Sequence, residues 1–313
     1  MARDDELLSV RVAELYYDEN KTQDEIGALL GMSRWKAGRL LVQAREAGIV
    51  RIEIVHPRAR RLTLERELCV RFGLRDAVIV PDPENQDGAT ARVAQAAADY
   101  LTSLRPVPRV LGVSWGRTLN EVADRLPIGW ASGVTVVQIN GGVSLNRRSA
   151  GAATMATTIA QRGNGTAVLL PSPAILERIE TKRAIEADRT VADVLTRAAG
   201  ASAYLYSAGV ADASSVLVES GYLTRDDVDE LVRKGAVGDV VGRYINADGN
   251  IVDSGLDDRT VGLGLHELRS AATAIFVVAG RPKHDIARAV VTSGLCTVMI
   301  SDEGTARALL EDA

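Results

Sequence analysis

Residues 22–41 read Thr22-Gln-Asp-Glu-Ile-Gly-Ala-Leu-Leu-Gly-Met-Ser-Arg-Trp-Lys-Ala-Gly-Arg-Leu-Leu41. The spacing predicts two short helices joined by a tight turn. Thr22 is an N-cap residue type, and Glu25 three positions later completes a capping box. Ile26, Leu29 and Leu30 recur at helical spacing and give one apolar face. Gly31 can take the positive φ that closes a helix. Ser33 caps a second helix, on which Arg34, Trp35, Lys36 and Arg39 are polar or amphipathic, while Ala37, Leu40, Leu41 and Ala44 form the inward stripe. Two helices about a glycine turn, the second one basic, are the helix-turn-helix arrangement that enters a DNA major groove. The candidate DNA contacts are Thr22, Gln23, Ser33, Arg34, Trp35, Lys36 and Arg39. Arg34, Lys36 and Arg39 would read bases, Ser33 would hold a phosphate, and Trp35 would pack on a sugar or in the unit's own core. The alternative is a three-helix bundle with a solvated basic face.

Charge supports the first reading. The 313 residues carry a net charge of −4, yet residues 21–61 hold nine Lys/Arg against four Asp/Glu. Residues 62–313 hold 26 against 31, and residues 1–20 hold two against six. A basic segment on a neutral-to-acidic chain is the footprint of a small DNA reader attached to a larger domain. Around the helix pair, residues 4–19 predict a covering helix through Leu7, Leu8, Val12, Leu15 and Tyr16. Ile49–His56 alternates and ends at Pro57, as a short strand or wing does. Residues 58–73 predict a linker helix carrying Leu62, Leu64, Leu68, Val70 and Phe72; its basic start either approaches phosphates or is solvated.

From residue 76 short apolar runs alternate with helical stretches. Strands are expected at Ala77–Val80, Val110–Val113, Val134–Ile139, Ala167–Leu170, Ala203–Ser207, Ala274–Val278 and Thr297–Ile300. Helices are expected at 88–104, 117–125, 150–162, 181–199, 224–234 and 283–294. This is a Rossmann-like, mostly parallel α/β domain covered on both faces. The expected organisation is therefore a DNA-binding domain at 1–57 and an effector-binding and oligomerisation domain at 58–313. With only two Phe, seven Tyr and three Trp in a chain that is 46% hydrophobic, the cores must rest on aliphatic residues. Cys69 and Cys296 are too few and too far apart for a disulfide framework or a zinc site. No apolar run approaches the roughly 18 residues of a membrane span. The opening Met-Ala-Arg-Asp-Asp-Glu lacks a secretory pattern, so a cytoplasmic location is expected.

In such folds ligands sit beyond the carboxyl ends of strands. Five strand ends here carry glycine, hydroxyl or charged residues: Ser114-Trp-Gly-Arg-Thr118, Asn140-Gly-Gly142, Pro171-Ser-Pro173, Ala208-Gly-Val-Ala-Asp-Ala-Ser-Ser215 and Ala279-Gly-Arg-Pro-Lys283. Singly these are turns; together they suggest a pocket. Asn140, Asp212 and Asp239 would bind hydroxyls, and Ser114, Lys283 and free backbone N–H groups would hold a phosphate. Arg117 belongs to this set or is a surface charge. The segment 234–251 is rich in glycine but lacks the carboxylate series of a calcium loop, so no metal is expected.

These motifs resemble the SorC family of bacterial sugar-responsive transcriptional regulators. The resemblance rests on Thr22-Gln-Asp-Glu-Ile-Gly, Gly31-Met-Ser-Arg and Ala44-Arg-Glu-Ala-Gly-Ile-Val50, then Gly112-Val-Ser-Trp-Gly-Arg-Thr118, Gln138-Ile-Asn-Gly-Gly142, Gly235-Ala-Val-Gly-Asp239 and Ala279-Gly-Arg-Pro-Lys283. It implies a sensor fold related to sugar-phosphate isomerases and glucosamine-6-phosphate deaminases. It also implies a sugar, polyol or sugar-phosphate effector, operator DNA, and a homo-oligomer, a tetramer before a dimer. The effector set it implies is Gly112, Ser114, Trp115, Gly116, Arg117, Thr118, Asn140, Gly141, Asp212, Asp239 and Lys283. The phosphate falls at Ser114, Gly116 and Lys283, and the hydroxyls at Asn140 and Asp239. The five lysines are Lys21, Lys36, Lys182, Lys234 and Lys283, and the 138–142 loop carries Asn140, so no Schiff base forms there. No cofactor and no catalytic residue are expected. The competing reading, a sugar-phosphate isomerase or deaminase with Asp212 or Asp239 as base, finds no catalytic spacing among the three His.

Overall fold

The computed structural model describes residues 3–50, 60–82, 87–143 and 152–311. Its contacts divide the chain into two compact units, Met1–His56 and Pro57–Ala313.

The first unit has helices at Arg3–Tyr17, Gln23–Leu30 and Arg34–Glu46. Local chemistry sets their ends. Glu25 N donates to Thr22 Oγ1 at 3.3 Å, and Thr22 N donates to Glu25 Oε2 at 2.8 Å, which completes the capping box. Gly31 closes the helix at φ 66°. Ser33 Oγ accepts from Lys36 N at 3.2 Å and opens the next helix. The helix pair also requires Gly27, because a Cβ there would lie 2.6 Å from Met32 O. Val12, Leu15, Ile26, Ala37, Leu40, Leu41 and Ala44 fill the core. Three expected inward residues face out: Leu7 is 67% exposed, Tyr16 36% and Leu29 60%. Ser9 and Ala13 are buried in the first helix instead. The strand expected at 49–56 lies, from residue 51 on, outside the described residues.

The second unit is built on seven parallel strands. They are β1 (Asp76–Val80), β2 (Val110–Val113), β3 (Thr135–Gln138), β4 (Thr166–Val168), β5 (Ala203–Tyr206), β9 (Ala274–Val277) and β10 (Val298–Asp302). Their order is β1-β10-β9-β5-β2-β3-β4. Every expected strand is present. Apolar residues fill both faces because both are covered: Ala203 and Leu205 of β5 join one core cluster, Tyr204 and Tyr206 the other. Tyr206 stacks on Phe276 with centroids 5.4 Å apart, and its hydroxyl donates to Leu295 O at 2.7 Å.

Three further strands, β6 (Ala208–Val210), β7 (Gly238–Val240) and β8 (Arg243–Ile245), form a small antiparallel sheet where only loops were expected. The helix expected at 181–199 is two helices, Ile179–Ala187 and Arg189–Ala199, broken where Asp188 Oδ1 accepts from Thr190 N at 2.9 Å. The linker helix spans Leu62–Phe72 and buries Glu65 and Leu68; Leu62 and Val70 are 56% and 86% exposed.

Candidate functional site

From β2 the sheet grows through β3 and β4 on one side, then β5 returns to the other side of β2. That reversal parts the loops at the carboxyl ends of β2 and β5, which is where open α/β sheets bind ligands. Ser114 N donates to Leu205 O at 3.1 Å and ties the two strand ends together.

A cavity of about 330 Å³ opens at this point. Ser114 to Thr118 line it after β2, Ser207 after β5, and Ala279 with Lys283 after β9. The small sheet closes it with Ala208, Gly209, Val210, Asp239 and Val241, and helices contribute Thr90 and Glu121. Gly116, at φ 146°, starts the helix Arg117–Arg125 without a side-chain cap. Gly280, at φ 90°, starts the turn Arg281–Lys283 that leads into the helix His284–Thr292. The helix start at Gly116–Thr118 thus lies on the cavity wall beside the Lys283 side chain, an arrangement that favours an anion, whereas Gly280 N is already bonded to Asp302 Oδ2.

The charged groups are held under stress. Asp239 is 4% exposed, and burial raises its carboxyl to about 6 against the bond from Gly242 N at 3.0 Å and the attraction of Lys283. Burial lowers the Lys283 ammonium to about 8, opposed by Asp239 and reinforced by Arg117. The β7–β8 hairpin turns on Val241 and Gly242, at φ 50° and 86°. A β-branched residue in that region is strained, and the bond between Gly242 N and Asp239 Oδ2 holds it there. Ser207 Oγ is buried and has no hydrogen-bond partner among the described residues. A buried hydroxyl left unpaired beside a cavity is positioned for a ligand atom.

Ser114, Trp115, Gly116, Arg117, Thr118, Asp239 and Lys283 thus meet at one cavity, whereas Gly112, Asn140, Gly141 and Asp212 are absent from its wall. Gly112 is a packing residue, since a Cβ there would lie 2.6 Å from the Tyr204 ring. Gly141 O accepts from Trp115 Nε1 at 2.9 Å, and a Cβ on Gly141 would lie 2.2 Å from Pro173 O. That loop therefore buttresses Trp115. Asn140 is 1% exposed, with both amide atoms unpaired among the described residues, and its backbone bridges Gly262. Asp212 is exposed, and its Oδ1 accepts from Ser214 N and Oγ at 2.7 and 2.6 Å. Arg117 is committed to structure as well: it donates to Ser214 O at 3.1 Å and reaches Glu219 Oε1 at 3.4 Å. Ser207 and Gly209 were open to the same strand-end reasoning that found Ser114. Thr90 and Glu121 arrive from helices, and only the tertiary fold brings them in.

In the first unit Arg34, Trp35, Lys36 and Arg39 lie on the exposed side of the second helix of the pair. Trp35 is 80% exposed, so it does not pack in the unit's core. The Arg34 guanidinium lies 5.6 Å from its ring centroid. Thr22 is occupied in its cap, and the Gln23 side chain lies over Gly38, where a Cβ would be 2.9 Å from Gln23 Oε1.

Residues 56–311 match the family Sugar-bind, described as "Putative sugar-binding domain". The chain is 31% identical to the Deoxyribonucleoside regulator of Bacillus subtilis over the full length of both. It is 30% identical to the Transcriptional regulator LsrR of an Enterobacter species, over 99% of this chain and 94% of the relative. The crystal structure of the full-length sorbitol operon regulator SorC from Klebsiella pneumoniae superposes with a TM-score of 0.74 at 26% identity, over 97% of this chain and 98% of that one. Fold, cavity and full-length similarity agree: the chain belongs to the SorC family of sugar-binding transcriptional regulators.

Proposed function

We propose that the unit Met1–His56 binds operator DNA and that the cavity at the β2–β5 switch point takes a phosphorylated sugar or polyol whose occupancy controls that binding. The observation that carries this reading is the cavity itself. It combines the helix start at Gly116, the Lys283 ammonium, a Ser207 hydroxyl with no partner among the described residues and the buried Asp239 carboxyl. The first two suit a phosphate, the last two a hydroxylated carbon chain. Ser114 and Thr118, buried at the same helix start, add hydroxyl donors. Asn140 is off the cavity wall, and the next residue, Gly141, supports the site by accepting from Trp115 Nε1. Binding is non-covalent, because Lys283 is the one lysine among the described residues of the cavity wall and its charge serves the phosphate.

The DNA contacts are Arg34, Lys36 and Arg39 to base edges and phosphates, Trp35 to sugar or a thymine methyl, and Ser33 with its N–H neighbours to phosphate. Thr22 and Gln23 act by fixing the helix pair. A single pair covers few base pairs, so the working form is a homo-oligomer, a tetramer, acting in the cytoplasm. The ligand acts by binding two arrangements of that oligomer unequally.

A second reading has one observation in its favour: a carboxyl near 6 beside an ammonium near 8 is an acid–base pair that an isomerase or deaminase could use. We assign the pair to binding and expect no turnover. The deciding experiment uses the full chain. A thermal-shift series with sorbitol, ribose, 2-deoxyribose and their monophosphates is paired with a gel shift on the DNA upstream of its own gene at low salt. Stabilisation by a phosphate ester, with release or capture of DNA by the same compound, supports the reading. Free sugars that match their phosphates would remove the phosphate role, and conversion of a bound ester to product would replace the sensor with an enzyme.

A further inference from the structure

The cavity and the start of the second unit are joined by two adjacent acidic residues. Asp302 ends β10 and is 3% exposed. Its Oδ2 accepts from Gly280 N at 2.8 Å, at the head of the turn that carries Lys283. Thr305 N and Oγ1 donate to the same carboxylate, each at 2.8 Å, which fixes its orientation. The next residue, Glu303, points to the opposite side of the strand end. Its Oε2 accepts from Arg61 Nε at 2.6 Å, and its Oε1 accepts from Arg307 Nε at 3.1 Å. Burial pushes the Glu303 carboxyl up, but the bonds from Arg61 and Arg307 outweigh it and hold it below its ordinary value.

Arg61 belongs to a segment clamped along the outer edge of β1. Arg61 N donates to Ile79 O at 2.8 Å, and Arg60 Nη2 donates to Ala77 O at 2.9 Å. Glu65, 6% exposed, accepts from Ile79 N at 2.9 Å and from Arg60 Nε and Nη2 at 2.8 Å each. The segment thus takes the hydrogen bonds that another strand would make. In sequence it begins four residues after His56, the last residue of the N-terminal unit.

We propose that Asp302 and Glu303 act as positioning residues that couple the Gly280–Lys283 turn to the segment Arg60–Glu65. The proposal rests on the sensor reading above and adds the route by which the cavity reaches the chain that enters from the DNA-binding unit. A ligand that engages Lys283 or the helix start shifts Gly280. Asp302 cannot follow alone, because β10 is hydrogen-bonded between β9 and β1. Glu303 transmits the strain to Arg61 through a charge-assisted bond. Packed, discretely bonded elements of this kind carry coupling energy between sites.

The test begins without ligand, on the full chain, by amide hydrogen exchange. Glu303→Gln speeds exchange at Gly280 on the order of tenfold, as loss of a charge-assisted bond should if the two are coupled. Arg307→Gln weakens the same carboxylate without touching Arg61 and leaves Gly280 within about twofold. Arg61→Gln behaves like Glu303→Gln, and Arg61→Lys recovers most of the protection. An unchanged Gly280 in Glu303→Gln, or an equal change in Arg307→Gln, overturns the coupling. A second arm adds sorbitol 6-phosphate and 2-deoxyribose 5-phosphate. Arg61→Gln keeps the wild-type thermal shift but loses the effect of the compound on DNA binding; a retained effect on DNA overturns the proposal. If neither compound shifts the wild type, the sensor reading fails for them, while the exchange arm still decides the coupling.

Discussion

Asp239 rests directly on Gly209: a Cβ built at Gly209 would lie 2.0 Å from Asp239 Oδ1. The two residues are paired across β6 and β7. No side chain larger than hydrogen fits between the carboxylate and the backbone of the partner strand. Gly209→Ala is therefore expected to cost about 1–3 kcal/mol, because the carboxylate must turn away from the added methyl while Gly242 N holds its Oδ2. Chemical denaturation of the variant, with the thermal-shift response to sorbitol 6-phosphate and 2-deoxyribose 5-phosphate, checks this. Wild-type stability together with a wild-type response would mean that Asp239 has room to spare.

Asp239 makes the fold pH-sensitive in a definite direction. Its carboxyl titrates near 6 in the folded protein against an ordinary 3.8. The folded state then holds the proton more tightly than the unfolded state. Stability falls as pH rises from about 4 to about 6, and the full penalty, on the order of 3 kcal/mol, is present above that window. Asp239→Asn removes the penalty and keeps an acceptor for Gly242 N. Urea midpoints near pH 4 and near pH 7 should differ less in the variant than in the wild type. The ligand response should weaken in the same variant.

Lys283 titrates in the opposite sense. Burial lowers its ammonium to about 8 from 10.5, so it still carries its charge at neutral pH and loses it in mildly alkaline solution. Binding of a phosphate ester should weaken as pH rises through about 8. Lys283→Gln should lose roughly tenfold to a hundredfold in affinity and show no such pH step. Calorimetric titration across that range separates this from a general loss of fold.

The exposed basic face makes a salt-dependent prediction. If Lys36 or Arg39 meets a phosphate, its replacement by Gln lowers the slope of log affinity against log salt by about one. If either reads a base, the slope stays and about 1–3 kcal/mol of sequence discrimination is lost. Ser33→Ala removes the cap of the exposed helix and should cost about 1 kcal/mol of stability in this unit. Binding isotherms at several salt concentrations, on matched and scrambled duplexes, distinguish the three.

The helix pair was legible because its determinants are local. Thr22, Glu25, Gly31 and Ser33 act within four residues, and each does what its spacing requires. The seven parallel strands were legible as apolar runs because both faces of the sheet are buried. The strands β6, β7 and β8 were hidden by their three-residue length and by the glycines of β6 and β7. Gly238 reads as a breaker, yet it sits in a strand because a Cβ there would lie 2.5 Å from Gly209 O and 2.8 Å from Ile286 Cβ. Misassigned faces, such as Leu7 and Leu29, have the right period, but no neighbour among the described residues covers them.

The candidate site divides in the same way. By itself the sequence determined that strand ends carry glycine, hydroxyl and charged residues, since turns and helix starts are written in neighbouring positions. The tertiary structure decided which of those ends meet. Asn140 and Ser207 both follow parallel strands, but β5 pairs with β2 on the side opposite β3, with β9 beyond it. Ser207 therefore lines the cavity, while Asn140 is absent from its wall and its backbone bridges Gly262. Strand order follows from crossover connections and from the burial of both sheet faces, and no local pattern of residues encodes it.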